Sequence, residues 1–356
     1  MRSLAAGLAA VLLAACSTAL ASPTTTAAPA SLAPSATVGP SESPAPSAEP
    51  TPTVQPEPRF EMATYPVVAG SRPHDVAPAA DGGVWYTGQG NGTLGWLDPE
   101  TGEVREVALG PGSRPHGVIV GPDDAAWITD AGLNAIVRVD PTSLAVETYP
   151  LEVGDANLNT ATFDGDGVLW FTGQSGWYGR LDPSSGEIRT FPAPGGPGPY
   201  GIATMPGGGV VYSSLAGSHL GFVDSSSDEV TVVDTPTPGG GARRVWSDST
   251  GRLWVAEWFA GNLAAYDPFD GTWQEWRLPG DDPQPYAVFV DDTDAVWVTD
   301  FGGNALHRFD PATEAWTTFE HASVPADVRQ LLGRPGELWG AESAADQLVV
   351  VRRTGG

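Results

Sequence analysis

The sequence contains no lysine, and all 17 of its basic residues are arginine. Schiff-base chemistry and a lysine general base are therefore excluded. Its 43 acidic residues give the chain a formal net charge of −26. An acidic surface repels phosphate backbones, so no nucleic-acid partner is expected.

Cysteine occurs only once, as Cys16. A single cysteine excludes intrachain disulfides and a thiolate metal site. It ends a segment in which Arg2 precedes a short apolar run, from Leu4 to Ala15. A run of that length is too short to cross a bilayer and is typical of a signal peptide.

The end of this segment, Leu-Ala-Ala-Cys, resembles a bacterial lipobox. We therefore predict a lipoprotein signal peptide over 1–16, with Cys16 lipidated. The protein would be held on the outer face of the bacterial cytoplasmic membrane by this anchor alone. The alternative is an ordinary secretory signal cleaved near "TALAS", which would discard Cys16.

Aromatic residues are absent from 17–58, which is rich in Pro, Ser, Thr and Ala. Such a segment cannot bury enough apolar surface to offset the entropy of ordering it. The sequence thus predicts a disordered linker over 17–58 and a folded domain over 59–356.

The folded part is a sevenfold repeat with a period near 42 residues. An aromatic residue in a short β-like run recurs at Trp85, Trp127, Trp170, Tyr212, Trp254, Trp297 and Trp339. After the first six of these, an aspartate follows twelve or thirteen residues later, in five cases directly before proline, which is typical of a tight turn. Each unit contains four strand-like runs, such as "HGVIV", "AAWITD", "NAIVRVD" and "AVETYPL" in the second. The pattern predicts an all-β fold, a seven-bladed β-propeller of four-stranded blades.

The last unit lacks its outer strand, because the chain ends soon after "QLVVVRR". The segment before the first unit, "FEMATYPV", resembles the outer strand "VETYPL". We predict that residues 60–67 complete the last blade and close the ring, which removes the open sheet edges. An open β-solenoid would not explain the missing strand.

Two sets of positions should reach one mouth of the central channel. The first is the start of each inner strand: His74, His116, Thr160, Tyr200, Arg244, Tyr286 and about Val328. The second lies three residues after each aromatic marker: Gly88, Asp130, Gly173, Leu215, Glu257, Asp300 and Glu342.

These positions suggest a reactive site at the mouth. The two histidines follow nearly identical strings, "GSRPHDV" and "GSRPHGV", and could supply a general base near neutral pH. The second set contains four candidate metal ligands, Asp130, Glu257, Asp300 and Glu342, and hard cations prefer such oxygens. The simpler explanation is that these acids bond loop amides and that each histidine packs between blades. His219, His307 and His321 are expected to be structural.

The strings "SRPHGV", "LWFTG", "GRLDPSSGEIRTFP" and "LWVAEWFAGNLAAYDP" resemble the repeats of the virginiamycin B (streptogramin) lyase family. The resemblance extends over 60–353. It implies a Mg²⁺-dependent carbon–oxygen lyase that opens a cyclic depsipeptide ester by elimination. It further implies His116 as the base, His74 as the residue that orients the ester, and Asp130 as a metal ligand.

Two features depart from the family pattern. Arg114 stands two residues before His116, where the family has a metal-binding glutamate. The Pro-His pairs also lie in the first two units, whereas the family enzymes use the last two.

Other functions remain open from the sequence alone. A non-catalytic propeller could bind a peptide, glycan or cell-wall fragment through Tyr200, Arg244 and Tyr286. A lactonase-type hydrolase could use Ca²⁺ held by the carboxylates. In each case the partner is a small molecule or peptide at the mouth, and the expected state is a monomer.

Overall fold

The computed structural model describes residues 58–355. The predicted signal peptide with Cys16, and the predicted linker apart from its last residue, lie outside this range. Every regular element within it is a β-strand. No helix among the described residues is long and apolar enough to cross a bilayer.

Twenty-eight strands form seven antiparallel four-stranded sheets, as the repeat predicted. The first blade contains β2 (Pro73–Pro78), β3 (Val84–Gly88), β4 (Thr93–Leu97) and β5 (Val104–Ala108). The second contains β6 (Pro115–Val120), β7 (Ala126–Asp130), β8 (Ala135–Val139) and β9 (Val146–Pro150). The third contains β10 (Leu158–Phe163), β11 (Leu169–Gly173), β12 (Trp177–Leu181) and β13 (Ile188–Pro192). The fourth blade contains β14 (Pro199–Thr204), β15 (Val210–Ser214), β16 (His219–Asp224) and β17 (Glu229–Asp234). The fifth contains β18 (Ala242–Ser247), β19 (Leu253–Glu257), β20 (Asn262–Asp267) and β21 (Thr272–Arg277). The sixth contains β22 (Pro285–Val290), β23 (Val296–Asp300), β24 (Ala305–Asp310) and β25 (Ala315–Glu320).

The seventh blade closes the ring as predicted. Its strands are β26 (Val328–Arg334), β27 (Glu337–Glu342), β28 (Gln347–Thr354) and, from the other end of the chain, β1 (Arg59–Pro66). The sheet order is β1-β28-β27-β26, with Phe60 opposite Arg353. Phe60 packs edge-on against Trp297 of the sixth blade at 5.6 Å. The first strand therefore joins the last blade by both backbone pairing and aromatic packing.

The aromatic markers form the packing between blades. Trp127, Trp170, Trp254, Trp297 and Trp339 are among the largest fully buried side chains. Several indole N–H groups donate to a carboxylate in the preceding turn, for example Trp170 to Asp164 at 2.8 Å and Trp297 to Asp291 at 2.8 Å. These indoles keep a hydrogen bond when they are buried, whereas Trp85 Nε1 has no partner among the described residues.

The fourth blade departs from the predicted marker by one residue. β15 begins with two valines, and the second of them, Val211, occupies the place that Trp85 has in β3. Tyr212 instead corresponds to Tyr86 on the other face of its strand. The strand-end residue of this blade is accordingly Ser214, which pairs with Pro199, and not Leu215.

Candidate active site

The innermost strands place one residue from each blade at the mouth of the channel. Each of these strands shifts register after its first residue, so the second residue lies in a bulge. Bulges re-aim side chains and are common beside active sites. The seven bulge residues are His74, His116, Asn159, Tyr200, Arg243, Tyr286 and Arg329.

Hydroxyl groups of the second strands fix the inner strands from one blade to the next. Thr87 Oγ1 donates to the backbone oxygen of His116 at 2.8 Å. Ser213 Oγ donates in the same way to Arg243 at 3.0 Å. Thr129 and Thr172 make equivalent bonds to Asn159 and Tyr200. This repeated bond identifies Asn159 and Arg243 as the counterparts of His116.

The predicted first set of mouth positions was therefore off by one residue in three blades. Thr160, Arg244 and Val328 were expected to match His74, but the matching residues are Asn159, Arg243 and Arg329. Arg244 nevertheless reaches the site from the next position along, which corresponds to that of Asp75. In the other four blades a proline directly precedes the bulge residue and marks its position. No proline precedes Asn159, Arg243 or Arg329, so the sequence did not reveal their positions.

The two histidines meet, as their matching strings suggested. Their ring centroids lie 3.8 Å apart, and the side chains are buried, with exposures of 3% for His74 and 7% for His116. His74 Nδ1 lies 2.7 Å from Asp75 Oδ1. His116 Nε2 lies 3.4 Å from Asn159 Nδ2, while its Nδ1 has no hydrogen-bond partner among the described residues. Of these two histidines, only His74 has a carboxylate partner that can orient its ring.

Arginines surround this pair. Arg244 Nη2 lies 3.3 Å from Asp75 Oδ1, and Arg244 Nη1 donates to Thr160 Oγ1. Arg243 stacks over Tyr286, with its guanidinium carbon 3.5 Å from the ring centroid, and also lies against Trp258 at 4.3 Å. Arg329 stacks on Phe301 at 5.7 Å. Three guanidinium groups therefore lie near His74, and one of them, that of Arg244, pairs with the Asp75 carboxylate.

The surroundings shift the acid–base behaviour of the site. Burial lowers the pKa of His74 well below its ordinary value, and Arg329, Arg244 and Arg243 add to this effect. Burial and the neighbouring His74 likewise lower the pKa of His116. Both imidazoles are accordingly neutral at pH 7 and can accept a proton.

The tyrosines complete the site. Tyr200 and Tyr286 share a hydrogen bond of 2.5 Å between their hydroxyls, and Arg243 Nη2 donates to Tyr200 at 2.9 Å. Burial opposes ionisation of Tyr286, but Arg243, Arg244 and Arg329 outweigh it, so its pKa is lowered. Of the three predicted binding residues, Tyr200 has its ring centroid 6.3 Å from that of His116, Arg244 pairs with Asp75, and Tyr286 is joined to them through the hydroxyl of Tyr200.

The four predicted metal ligands are not brought together. Asp130 accepts bonds from Ser113 Oγ and from the backbone amides of Arg114, Gly132 and Leu133. Asp300 accepts from the amides of Gln284 and Gly302, and Glu342 bonds to His321 and Gln347. These acids hold loops in place, as the simpler explanation had it. Glu257 is considered separately below.

A magnesium ion does not fit the residues at the mouth. In the described part of the chain, one group of three potential ligands, His74, Asp75 and His116, has ligand atoms within 4.8 Å of one another. Mg²⁺ requires a near-ideal octahedron of oxygens. This group offers two nitrogens and one carboxylate that already contacts Arg244 and His74, within a ring of guanidinium groups. Arg114 has an exposed side chain and offers no ligand oxygen.

The family model described as "Virginiamycin B lyase family" matches residues 54–300, more than two thirds of the chain. The chain belongs to this family. Its fold is also that of solved virginiamycin B lyase structures. A selenomethionine-substituted virginiamycin B lyase from Staphylococcus aureus superposes with a TM-score of 0.77 at 19% identity, over 83% of this chain and 99% of the other.

Two further structures give the same result. A streptogramin B lyase has a TM-score of 0.77 at 20% identity, over 83% of this chain and 98% of the other. A catalytically inactive variant of virginiamycin B lyase from Staphylococcus aureus, solved with quinupristin, has a TM-score of 0.77 at 19% identity, over 83% of this chain and 99% of that one. No curated protein matches the sequence. At these identities the structures show a common fold, and function must be argued from the site.

Sequence reasoning missed five residues of the site: Asp75, Asn159, Arg243, Trp258 and Arg329. A signal for Asp75 was present, because "GSRPHDV" and "GSRPHGV" differ only at this position. Asn159 and Arg243 had no local signal, because the hydroxyls that bond their backbone oxygens belong to Thr129 and Ser213 of the preceding blades. Trp258 lies in a loop, where the repeat gives no register.

Proposed function

We propose that the mouth of the channel is the active site of a carbon–oxygen lyase that opens an ester by elimination. The observation that carries the proposal is the His74–Asp75 pair of 2.7 Å, with Arg244 3.3 Å from Asp75 and the charges of Arg243 and Arg329 near His74. Family membership supports the same reaction type. The substrate class proposed first is a cyclic depsipeptide ester, as in quinupristin.

His74 acts as the base in this proposal. Its Nδ1–H donates to Asp75, which leaves the lone pair of Nε2 to accept a proton from the carbon α to the carbonyl. The C–O bond at the β carbon then breaks, a C=C bond forms and a carboxylate leaves. No water is consumed, so the product is an isomer of the substrate. His116, which lacks a carboxylate partner, takes the positioning role, the reverse of the sequence prediction.

The arginines supply the charge stabilisation that the family assigns to a metal. Negative charge develops first on the carbonyl oxygen and then on the leaving carboxylate. Guanidinium groups bind carboxylates through two parallel hydrogen bonds, and pre-positioned donors at such sites stabilise the transition state. Arg244 Nη2 lies 3.3 Å from Asp75 Oδ1 and Arg243 Nη2 donates to Tyr200, so both guanidinium groups are held in place at the site.

The test is product analysis in water enriched in oxygen-18, with quinupristin as the probe. The proposal predicts a ring-opened product of unchanged mass without the heavy isotope, formed by wild type and lost with His74→Ala. Incorporation of the isotope would instead indicate the lactonase-type hydrolase. An unchanged antibiotic, under conditions where an authentic lyase opens it, would refute the proposal for this substrate class.

A second candidate is capture of an anionic ligand without turnover. It is favoured by the half-buried Arg243 and Arg329, which stack on Trp258 and Phe301, and by the exposed Arg72 and Arg114, each two residues before a histidine. A glycan fragment with carboxylates, such as trigalacturonate, is the probe for calorimetry. Binding that Arg243→Gln weakens, with the trimer recovered intact, would select this function over the lyase.

We further propose that the protein acts outside the cytoplasm as a monomer, anchored through Cys16. Radioactive palmitate should label the full chain and not the Cys16→Ala variant. Labelling of both forms, or of neither, would contradict the anchor. Elution of the propeller at twice its expected mass would contradict the monomer.

A further inference from the structure

Glu257 differs from the other acids at the ends of the second strands. Its side chain has an exposure of 0%, and neither carboxylate oxygen has a hydrogen-bond partner among the described residues. Asp130, Asp300 and Glu342 at the matching positions all accept hydrogen bonds from amides or side chains. A buried carboxylate without a partner is costly, so its surroundings require an explanation.

A second carboxylate lies nearby, because Asn262, which pairs with Glu257 across the strands, has its side-chain amide 3.5 Å from Glu275. Burial and Glu275 raise the pKa of Glu257 to about 8. Glu275, exposed on outer strand β21, accepts a bond from Thr237 Oγ1 at 2.7 Å. No salt bridge within residues 58–355 involves either glutamate. Arg277, on the same strand as Glu275, donates to the backbone oxygens of Ala260 and Asp281.

Neutral oxygen atoms border the pair. A methyl group on Gly240 would lie 3.0 Å from Glu257 Oε1 and 2.9 Å from the backbone oxygen of Thr237, so both oxygens face this glycine. Thr235 Oγ1 lies 3.5 Å from the same backbone oxygen. Asn262 contributes a side-chain amide 3.5 Å from Glu275. Carboxylates, a carbonyl, hydroxyls and an amide are the ligand types that Ca²⁺ uses in its flexible coordination shell.

We propose that Glu257 and Glu275 bind a divalent cation, Ca²⁺, with the Thr235–Thr237 segment supplying neutral oxygens. The cation would remove the repulsion between the carboxylates and supply the partner that Glu257 lacks. Its position links it to the mouth, since Trp258 follows Glu257 directly and stacks on Arg243. The ion would therefore hold the loop whose Trp258 packs on Arg243. The proposal is independent of the lyase reaction.

The test uses Tb³⁺ luminescence and Ca²⁺ calorimetry on the purified protein. Trp258 is close enough in sequence to sensitise Tb³⁺ bound at Glu257, and Ca²⁺ should displace it. Wild type should bind one equivalent per chain, and both Glu257→Gln and Glu275→Gln should weaken binding by at least about tenfold. Glu275→Gln changes an exposed side chain and should not affect folding, whereas Glu257→Gln changes a buried one.

Glu106 provides a matched control. Glu106 pairs with Gly95 in the first blade in the same way that Glu275 pairs with Ala264 in the fifth. The second strand of the first blade ends in Gly88, at the position that Glu257 has in the fifth, so Glu106 has no second carboxylate of this kind. Glu106→Gln should leave Tb³⁺ and Ca²⁺ binding unchanged. The proposal is wrong if wild type binds neither ion, or if the Glu275 and Glu106 variants behave alike. Release of one proton near pH 8 by wild type without cation binding would show instead that the two glutamates share a proton.

Discussion

At the scale of single residues, two histidines that look alike in sequence differ in their partners. His74 is followed by Asp75, which bonds its ring, whereas His116 is followed by Gly117. An aspartate that holds Nδ1–H fixes the tautomer in which Nε2 accepts protons. The two rings should therefore contribute unequally to any proton transfer.

Substituting the aspartate tests this inequality. Asp75→Asn should lower kcat for quinupristin about 100-fold or more, with little change in KM, because an amide can stabilise the wrong tautomer. His116→Asn should lower kcat by less than about tenfold, since His116 only positions. Steady-state kinetics on both variants gives the answer. The reverse order of effects would return the role of base to His116.

The pH dependence follows from the lowered histidine pKa values. The base must be unprotonated, so kcat/KM should stay level as the pH falls to 6.5 and decline only below it. The buried neutral histidines also resist protonation. The folded state therefore loses stability as the pH falls below the pKa that histidine has in the unfolded chain. Circular dichroism at each pH separates the two effects. An acid limb centred at or above pH 6.5 would contradict the assignment.

At the scale of the elements, the bulged inner strand positions the mouth residues, and a hydroxyl from the preceding blade holds four of the seven bulges. Thr87 Oγ1 both accepts from the Asp75 amide at 3.0 Å and donates to His116 O at 2.8 Å. Removal of such a hydroxyl leaves two buried backbone groups without partners.

Thr87→Val should lower the free energy of unfolding by about 2 kcal/mol, because each unsatisfied buried group costs about 1–3 kcal/mol. Urea denaturation measures this loss. Thr148→Val is the matched control, since Thr148 is exposed on outer strand β9 and should change stability little. Equal effects of the two substitutions would argue against the inter-blade bond.

These elements also explain what the sequence could predict. The second strands carry the large buried aromatics, and their regular spacing was enough to predict seven blades. The inner strands were aligned correctly in the four blades where proline precedes the bulge residue, as in Pro73-His74 and Pro199-Tyr200. In the other three blades, which begin with Leu158, Ala242 and Val328, the bulge left no local mark and the alignment was off by one residue.

The fourth blade gave the remaining error. Val211 occupies the position where the other second strands have tryptophan, so the neighbouring Tyr212 was mistaken for the marker. Contacts across the channel, such as Arg244 with Asp75, join residues 169 positions apart. Periodicity within one blade cannot predict such a pair, because it depends on ring closure.

At the scale of the whole molecule, ring closure brings the first and seventh blades together and so completes the mouth. The closing strand β1 pairs along its whole length with β28 and buries aromatic contacts such as Tyr65 with Trp339 at 5.6 Å. Without it, β28 would be an open apolar edge.

A chain that begins at residue 67 should therefore fail to fold or should aggregate, whereas a chain that begins at residue 58 should fold as the full protein does. Size-exclusion chromatography and thermal unfolding compare the two. A monomeric, cooperatively unfolding protein without β1 would contradict the closure account.

The central claim is that an arginine cluster replaces the family's magnesium ion in an elimination at His74. The most direct measurement is kcat/KM for quinupristin with protein stripped of divalent cations, returned to Ca²⁺ alone, and then titrated with Mg²⁺. Calcium keeps the proposed Glu257 site filled, so only a magnesium requirement is tested. The account predicts turnover with Ca²⁺ alone and no change on adding Mg²⁺. Turnover that appears only with Mg²⁺ and saturates with its concentration would contradict it.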